Sequence, residues 1–318
     1  MRVYAVSDLH TDYPQNLRWL EQLCTSSEYR QDVILVAGDV SDSLDTLEKT
    51  LQLLAGAFKA VFFVPGNHEL WCRKHERGTY DSLGKIRLIR SLCKRLDVYT
   101  EPACIGGVWL VPLFAWYHSS WDREPDIPGA RPIDTVMTDF HVCSWTSVPG
   151  LSNSDDTIAR HLDTLNEEAV SGVLTRLQQQ EAEAGRRPPV ITFSHFLPRQ
   201  DLIPEKRMLF IPNLAKAAGS DYLRRRVQQL KPLAHIFGHT HFTWDAVLDG
   251  VRYVQWPLGY PHEQGRRRDG GAGWLPIEIY NTAEGGGLTP QRSCYWSNYY
   301  ASVSRDPAVT QLAPWVNT

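Results

Sequence analysis

Six short apolar runs punctuate the chain, at 3–6, 33–37, 61–64, 108–113, 190–193 and 234–237. They are continuous rather than alternating, the pattern of strands buried on both faces of a sheet. Between them the apolar positions change to a spacing of three or four. Leu17, Leu20 and Leu23 fall on one helical face, as do Leu44, Leu47, Leu51 and Leu54, and then Leu83, Ile86, Ile89, Leu92, Cys93 and Leu96. A polar-rich stretch at 157–183 predicts one long helix, ended by Gly185 and by Pro188 and Pro189. Strands alternating with helices predict an α/β fold. Past Gly238 the pattern shifts: β-rich runs at 244–248 and 251–256 flank Asp249-Gly250, the signal of a two-residue hairpin. The last part of the sheet is therefore expected to be antiparallel.

Three stretches read as irregular. Residues 119–151 mix Pro, Gly, Asp and Trp and are too long for a simple connection, so an insertion or cap-like loop over a site is expected there. A second stretch, 256–273, carries Arg266, Arg267 and Arg268 among glycines. The third follows Tyr280, where Gly285, Gly286 and Gly287 precede Tyr295, Trp296, Tyr299 and Tyr300. This divides the chain into a main domain at 1–280 and an aromatic C-terminal tail at 281–318, a candidate surface for self-association or a partner.

Composition narrows the classes. With 318 residues, 42% of them hydrophobic and 22% charged, the chain can bury a sizeable core. A formal charge of −3 lacks the basic field of a general nucleic-acid binder. No apolar run approaches the roughly 20 residues that cross a bilayer, and the first residues lead directly into a strand with no secretion-signal pattern. The six cysteines are scattered without a C-x-x-C pair, as expected of reduced thiols in a cytoplasmic chain and not of a structural zinc site.

The chemistry-bearing residues sit where these strands end. The first run leads into Asp8-Leu9-His10, the second into Gly38-Asp39-Val40-Ser41-Asp42, the third into Gly66-Asn67-His68-Glu69. Ser194-His195 and Gly238-His239-Thr240-His241 end two later ones. Singly, each has an ordinary reading: a helix cap, a turn, a satisfied polar residue. Together they bring carboxylates, imidazoles and an amide to one rim, beyond the carboxyl ends of the strands, where open α/β sheets bind ligands. That donor set suits borderline divalent ions such as Mn, Fe, Zn or Ni. Asp8, His10, Asp39, Asn67, His195, His239 and His241 are too many for one ion. They suit a pair about 3.5–4 Å apart, able to clamp a phosphoryl group and lower the pKa of a water between them.

In that order the motifs Asp-x-His, Gly-Asp-x-x-Asp, Gly-Asn-His-Glu, a lone His and Gly-His-Thr-His resemble the calcineurin-like metallophosphoesterase superfamily, from Asp8 to His241. The resemblance implies a four-layer α/β/β/α sandwich with two mixed β-sheets. It implies that Asp8, His10 and His241 hold one metal, that Asn67, His195 and His239 hold another, and that Asp39 bridges them. His68 matches a histidine that binds no metal and protonates the leaving oxygen or steadies the transition state. Asp42 and Glu69 match carboxylates that stand behind the ligands and orient the histidines. The implied reaction is hydrolysis of a phosphate ester by a metal-bridging water or hydroxide.

Departures from the pattern choose a branch. Ser43-Leu44 stands where the protein Ser/Thr phosphatases carry Arg-Gly, and no tyrosine follows Asp39 until Tyr80, which disfavours the purple acid phosphatases. The chain is more similar to the small bacterial-type enzymes, phosphodiesterases among them. A phosphomonoesterase or nucleotide pyrophosphatase is the alternative, and a non-catalytic scaffold that kept the metal site is a second. The expected substrate is a small phosphate ester or nucleotide. Candidates to touch it are Arg73 beside Lys74, Trp116 and His118 at the mouth of the irregular stretch, and Arg199 with Lys206 and Arg207. Each also has a structural reading, as a solvated cation or a loop anchor.

Overall fold

The structure, a computed structural model, describes residues 1–266 and 273–316, so Arg267 and Arg268 of the basic run lie outside the described residues. Two mixed sheets form from the apolar runs. In the first, β1 (Arg2–Val6), β2 (Val33–Ala37) and β3 (Ala60–Val64) are parallel. On the other side of β1, β10 (Ile277–Asn281) pairs antiparallel, followed by β11 (Gly287–Leu288). The second sheet has the order β4 (Ala103–Ile105), β5 (Val108–Pro112), β6 (Val190–Phe193), β7 (Ala234–Phe237), β9 (Val251–Gln255), β8 (Trp244–Leu248).

The side-chain alternation of the second sheet defines the layers. Leu110, Ile191, Phe193 and Ile236 join the core that contains the first sheet and the apolar faces of helices Pro14–Thr25, Leu44–Ala57 and Ser82–Arg95. Val111, Val190 and Phe237 point the other way, onto Val170, Val173 and Leu177 of helix Glu167–Ala184 and Leu223, Val227 and Leu230 of helix Asp221–Leu230. Period-two burial thus places the two sheets face to face with helices outside, the expected α/β/β/α sandwich.

Three details differ from the sequence reading. The hairpin forms as expected, with Asp249 (φ 50°) and Gly250 (φ 80°) both in the left-handed region that such turns demand. Yet β9 runs parallel to β7, so of the two hairpin strands only β8 is antiparallel to β7, and the carboxyl end of β9 joins the same rim as β6 and β7. The helix expected at 157–183 is two helices, Thr157–Thr164 and Glu167–Ala184. Asn166, 2% exposed, interrupts it. Its Oδ1 accepts the Phe114 amide at 2.8 Å and its Nδ2 donates to the Phe114 carbonyl at 2.7 Å. Two satisfied buried backbone groups at the end of β5 outweigh one helical turn.

Beyond Asn281 the tail folds back. Trp296 meets Phe242 edge-on, Tyr300 stacks on Trp244 and its hydroxyl donates to Glu205 at 3.0 Å. Trp315, half-exposed, donates to the Met208 carbonyl at 3.1 Å. Much of the aromatic tail is thereby engaged within the chain. Among the described residues no helix is long and apolar enough to cross a membrane.

Replacing Asn166 with Ala strands the Phe114 amide and carbonyl in the core. Asn166→Ala should cost about 2 kcal/mol, read as a lowered denaturant midpoint at constant slope. An unchanged midpoint contradicts the role given to Asn166.

Candidate metal centre

The loops leaving β1 and β2 continue side by side. Asp8 N–H donates to the Gly38 carbonyl at 2.9 Å, His10 N–H to Asp39 at 3.0 Å and Thr11 N–H to Val40 at 2.8 Å. Eight described non-glycine residues have positive φ. Five of them are Asp8 (52°), His10 (41°), Asp39 (56°), His239 (78°) and His241 (57°). Left-handed backbone is costly for such residues and gathers where a site over-determines it. Here it turns side chains inward at three strand ends, those of β1, β2 and β7. Two motif glycines are required by the crowding. At Gly38 (φ 80°) a Cβ would lie 2.5 Å from His195 Nδ1, and at Gly66 it would strike the Asp39 carboxylate.

Two donor groups result. Ligand atoms of Asp8, His10, Asp39 and His241 all lie within 4.8 Å of one another, as do those of Asp39, His195 and His239. Asp39 belongs to both. Asn67 completes the second group, its Oδ1 lying 3.1 Å from His195 Nε2 and 3.0 Å from His239 Nδ1.

The outward partners fix which imidazole atoms carry protons, because a carbonyl or carboxylate can only accept. His195 Nδ1 donates to the Ala37 carbonyl at 2.9 Å, His239 Nε2 to Ala217 at 2.8 Å, and His241 Nδ1 to Glu263 at 2.7 Å. In the neutral imidazoles the inward nitrogens of these three are lone pairs. His195 Nε2 and His239 Nδ1 then both meet Asn67 Oδ1 as acceptors within 3.1 Å, while His10 Nε2, whose proton no outward partner fixes, lies 3.1 Å from His241 Nε2. Among the described residues no lysine or arginine hydrogen-bonds or ion-pairs with these seven side chains. Converging carboxylates, imidazoles and an amide oxygen with no lysine or arginine among them are the chemistry of a divalent-cation site, and the residues fit one.

Protons and a cation compete for the same lone pairs. Burial opposes charge on His195 and His241, but Asp39 and Asp8 respectively prevail and raise them to about 9 and about 10. Burial also resists ionisation of Asp8, yet His241 holds it down at about 2, and His195 holds Asp39 well below the usual carboxylate range. Burial, with cationic neighbours, pushes His239 down to about 3 and His10 far below its ordinary value.

Three further carboxylates organise the centre. Glu69 touches no histidine, contrary to expectation. It accepts the amides of Asp39 at 3.0 Å, Val40 at 2.6 Å, Ser41 at 3.0 Å and Gly66 at 2.6 Å, and so ties the loops after β2 and β3 together. Burial, then the charge of Asp39, pushes its pKa up to about 7 against the pull of those amides. Asp42 does not orient a histidine either: it pairs with Arg73. The groups that aim ligands are Glu263 at His241 and Asp139, which accepts from Asn67 Nδ2 at 2.9 Å and Trp71 Nε1 at 2.6 Å, turning Asn67 Oδ1 inward.

His68 lies at the mouth, its side chain 13% exposed. Its Nε2 is 3.8 Å from Asp39 Oδ2 and 3.3 Å from the Tyr260 hydroxyl, and its ring stacks on Trp71 at 3.7 Å. The other substrate candidates are placed elsewhere. Trp116 is buried among Tyr117, Trp145 and Phe196, leaving no face for a ligand. His118 is buried between Ser120 and the Asp221 amide. Arg199 is held by Asp201 and Asp249 at the hairpin turn, at the far end of the sheet from the histidines. Lys206 is enclosed by Asp122 and Asp126, and Arg207 faces Glu205.

Comparison with known proteins agrees with this centre. The family model described as calcineurin-like phosphoesterase matches residues 1–242. The chain belongs to the calcineurin-like phosphoesterase family. An acyl-carrier-protein phosphodiesterase of Mycobacterium tuberculosis, PptH, is 27% identical over 281 residues, 84% of this chain and 80% of its own. The crystal structure of the phosphopantetheinyl hydrolase PptH from the same organism superposes with a TM-score of 0.63 at 25% identity, over 87% of this chain and 95% of that one. The uncharacterized protein L509 of Acanthamoeba polyphaga mimivirus is 21% identical over 275 residues, 81% of this chain and 91% of its own. This calcineurin-like phosphoesterase is thus a metal-dependent hydrolase of phosphoester bonds, of the small bacterial-type branch.

The sequence reading missed Asp139, Tyr260 and Glu263. Residues 256–263 follow the carboxyl end of β9, and a parallel placement of that strand would have flagged them. Asp139 lies in the irregular 119–151 stretch, where only the length pointed to a site. Carboxylates of this kind typically contribute about 10–100-fold to metal affinity. Asp139→Ala should weaken binding by about that factor in a metal titration while the fold persists. Unaltered affinity contradicts the orienting role.

Proposed function

We propose that this chain is a two-metal phosphodiesterase in which Asp8, His10 and His241 hold one ion, Asn67, His195 and His239 the other, and Asp39 both. The observation that carries this reading is the double membership of Asp39, whose carboxylate lies within ligand distance of both groups. Manganese, iron, zinc and nickel all suit the mixture of imidazole, carboxylate and amide oxygen. When bound, such a pair supplies Lewis acidity and a nucleophile at neutral pH.

The chain's own residues do the rest. Asp8 and Asp39 hold charge at the floor of the site, kept ionised by the histidines beside them. His68 lies outside both donor groups and faces the mouth, so its Nε2–H is free to pass to the ester oxygen as the phosphorus–oxygen bond breaks. Trp71 stacks on its ring and limits its rotation.

A diester is favoured over a monoester by what surrounds the mouth. A dianionic monoester gains most from a bidentate cation clamp. Arg73, the arginine nearest His68 in sequence, is already paired with Asp42. Trp71 and Tyr260, partly exposed, and Tyr13, exposed, instead cluster aromatic rings around His68 and His10, suited to an organic group beside the phosphate. The names given to PptH supply a concrete diester to try: the link between a phosphopantetheinyl arm and an acyl carrier protein.

The test is a panel of bis(nitrophenyl) phosphate, nitrophenyl phosphate and holo-acyl carrier protein, run after chelation and after addition of Mn. Activity should vanish on chelation, return with Mn and be higher in kcat/KM on the diesters. His68→Ala should lose about 10²–10⁴-fold in kcat on a poor leaving group and less on nitrophenyl, which needs little protonation. Activity in verified metal-free protein, or a preference for the monoester, contradicts this reading.

A further inference from the structure

We propose that Tyr260 is a positioning residue for His68, holding its Nε2–H at the mouth of the metal centre. This rests on the reading of His68 as the proton donor.

Tyr260 reaches the centre from the connection after β9. Its hydroxyl is 3.3 Å from His68 Nε2, the same nitrogen that lies 3.8 Å from Asp39. Its ring stacks on His10 at 4.3 Å with 29° between planes, and meets His241 edge-on at 4.9 Å. Its amide donates to Glu263 Oε2 at 2.9 Å, and that oxygen also takes His241 Nδ1–H at 2.7 Å. The backbone of Tyr260 is therefore fastened to the centre independently of its hydroxyl. The ring cannot swing without leaving His10.

The His68 ring is packed by Trp71 at 3.7 Å and by the edge of His10 at 4.7 Å, contacts that resist rotation about Cβ–Cγ but give its Nε2 no hydrogen bond. The phenol oxygen supplies that bond. A hydroxyl has two acceptor lone pairs besides its proton, so it accepts from Nε2–H and keeps its own O–H for another oxygen. The proton donor is thus aimed before the ester arrives, the preorganisation on which effective proton transfer depends. Deleting the hydroxyl should affect the transition state and spare ground-state binding.

Tyr260→Phe keeps the ring on His10 and removes the oxygen alone. Expected is a loss of about tenfold in kcat on an alkyl diester, with little change in KM or in metal content by elemental analysis. The loss should be smaller on bis(nitrophenyl) phosphate, the same leaving-group dependence as His68→Ala. Because Tyr260 acts through His68, the double variant should be no slower than His68→Ala alone. Unchanged kcat, an additive loss in the double variant, an equal loss on both esters or departure of a metal overturns the inference. If His68→Ala itself keeps full kcat on the alkyl diester, the proton-donor reading fails and this inference fails with it. Full kcat in Tyr260→Phe with His68→Ala slow overturns this inference alone and leaves the proton-donor reading standing.

Discussion

Electron-pair acceptors crowded at five strand ends are the constraint on which this structure depends. Two buried carboxylates, four imidazoles and an amide oxygen converge on one centre, and no lysine or arginine of the described residues hydrogen-bonds or ion-pairs with them. Burial of this kind is unfavourable unless a counter-charge resides among the acceptors. The scaffold is built to enforce it. Left-handed backbone at five ligands, glycines where a Cβ would collide, and Glu69 gathering four amides all oppose relaxation of the loops. Stability given up locally is supplied by the two-sheet core beneath, whose inner strands β2, β3, β6 and β7 are wholly buried.

The two sheets divide the labour. The first sheet supplies Asp8, His10, Asp39, Asn67 and His68 from adjacent parallel strands. The second supplies His195, His239 and His241, and through β9 Tyr260 and Glu263. The centre exists only where both rims meet, and cross-sheet bonds fasten it: His239 N–H to Asp8 Oδ1 at 2.9 Å, and His195 Nδ1 to the Ala37 carbonyl at 2.9 Å. Under the proposed reading, a phosphoester bound here would meet a floor of fixed charge with the His68 imidazole at its edge.

Much of this was legible in the sequence. Continuous apolar runs located the inner strands, because burial on both faces erases alternation. The strand-end residues could be named as one rim, because β/α topology sends successive carboxyl ends to the same side. What escaped was set by long-range contacts. Asn166 breaks a helix for the sake of Phe114, 52 residues away in sequence. Asp139 enters the centre from an irregular stretch with no periodicity to read. Asp42 and Glu69 were seen as carboxylates close to the site, but their partners, an arginine and four backbone amides, depend on the path of the loops. Trp116, His118 and Arg199 carry chemistry that suits a ligand, and the fold uses each for packing or pairing instead.

The central claim is that one carboxylate joins two cation sites. The most direct measurement is the number of metal ions per chain, by elemental analysis after exhaustive loading with Mn, in the wild type, Asp39→Ala and Asn67→Ala. A shared carboxylate offsets the repulsion of two cations, so its loss should empty both sites, whereas loss of Asn67 should empty one. The account predicts about two ions in the wild type, about one in Asn67→Ala and close to none in folded Asp39→Ala. Two ions retained in Asp39→Ala would contradict it.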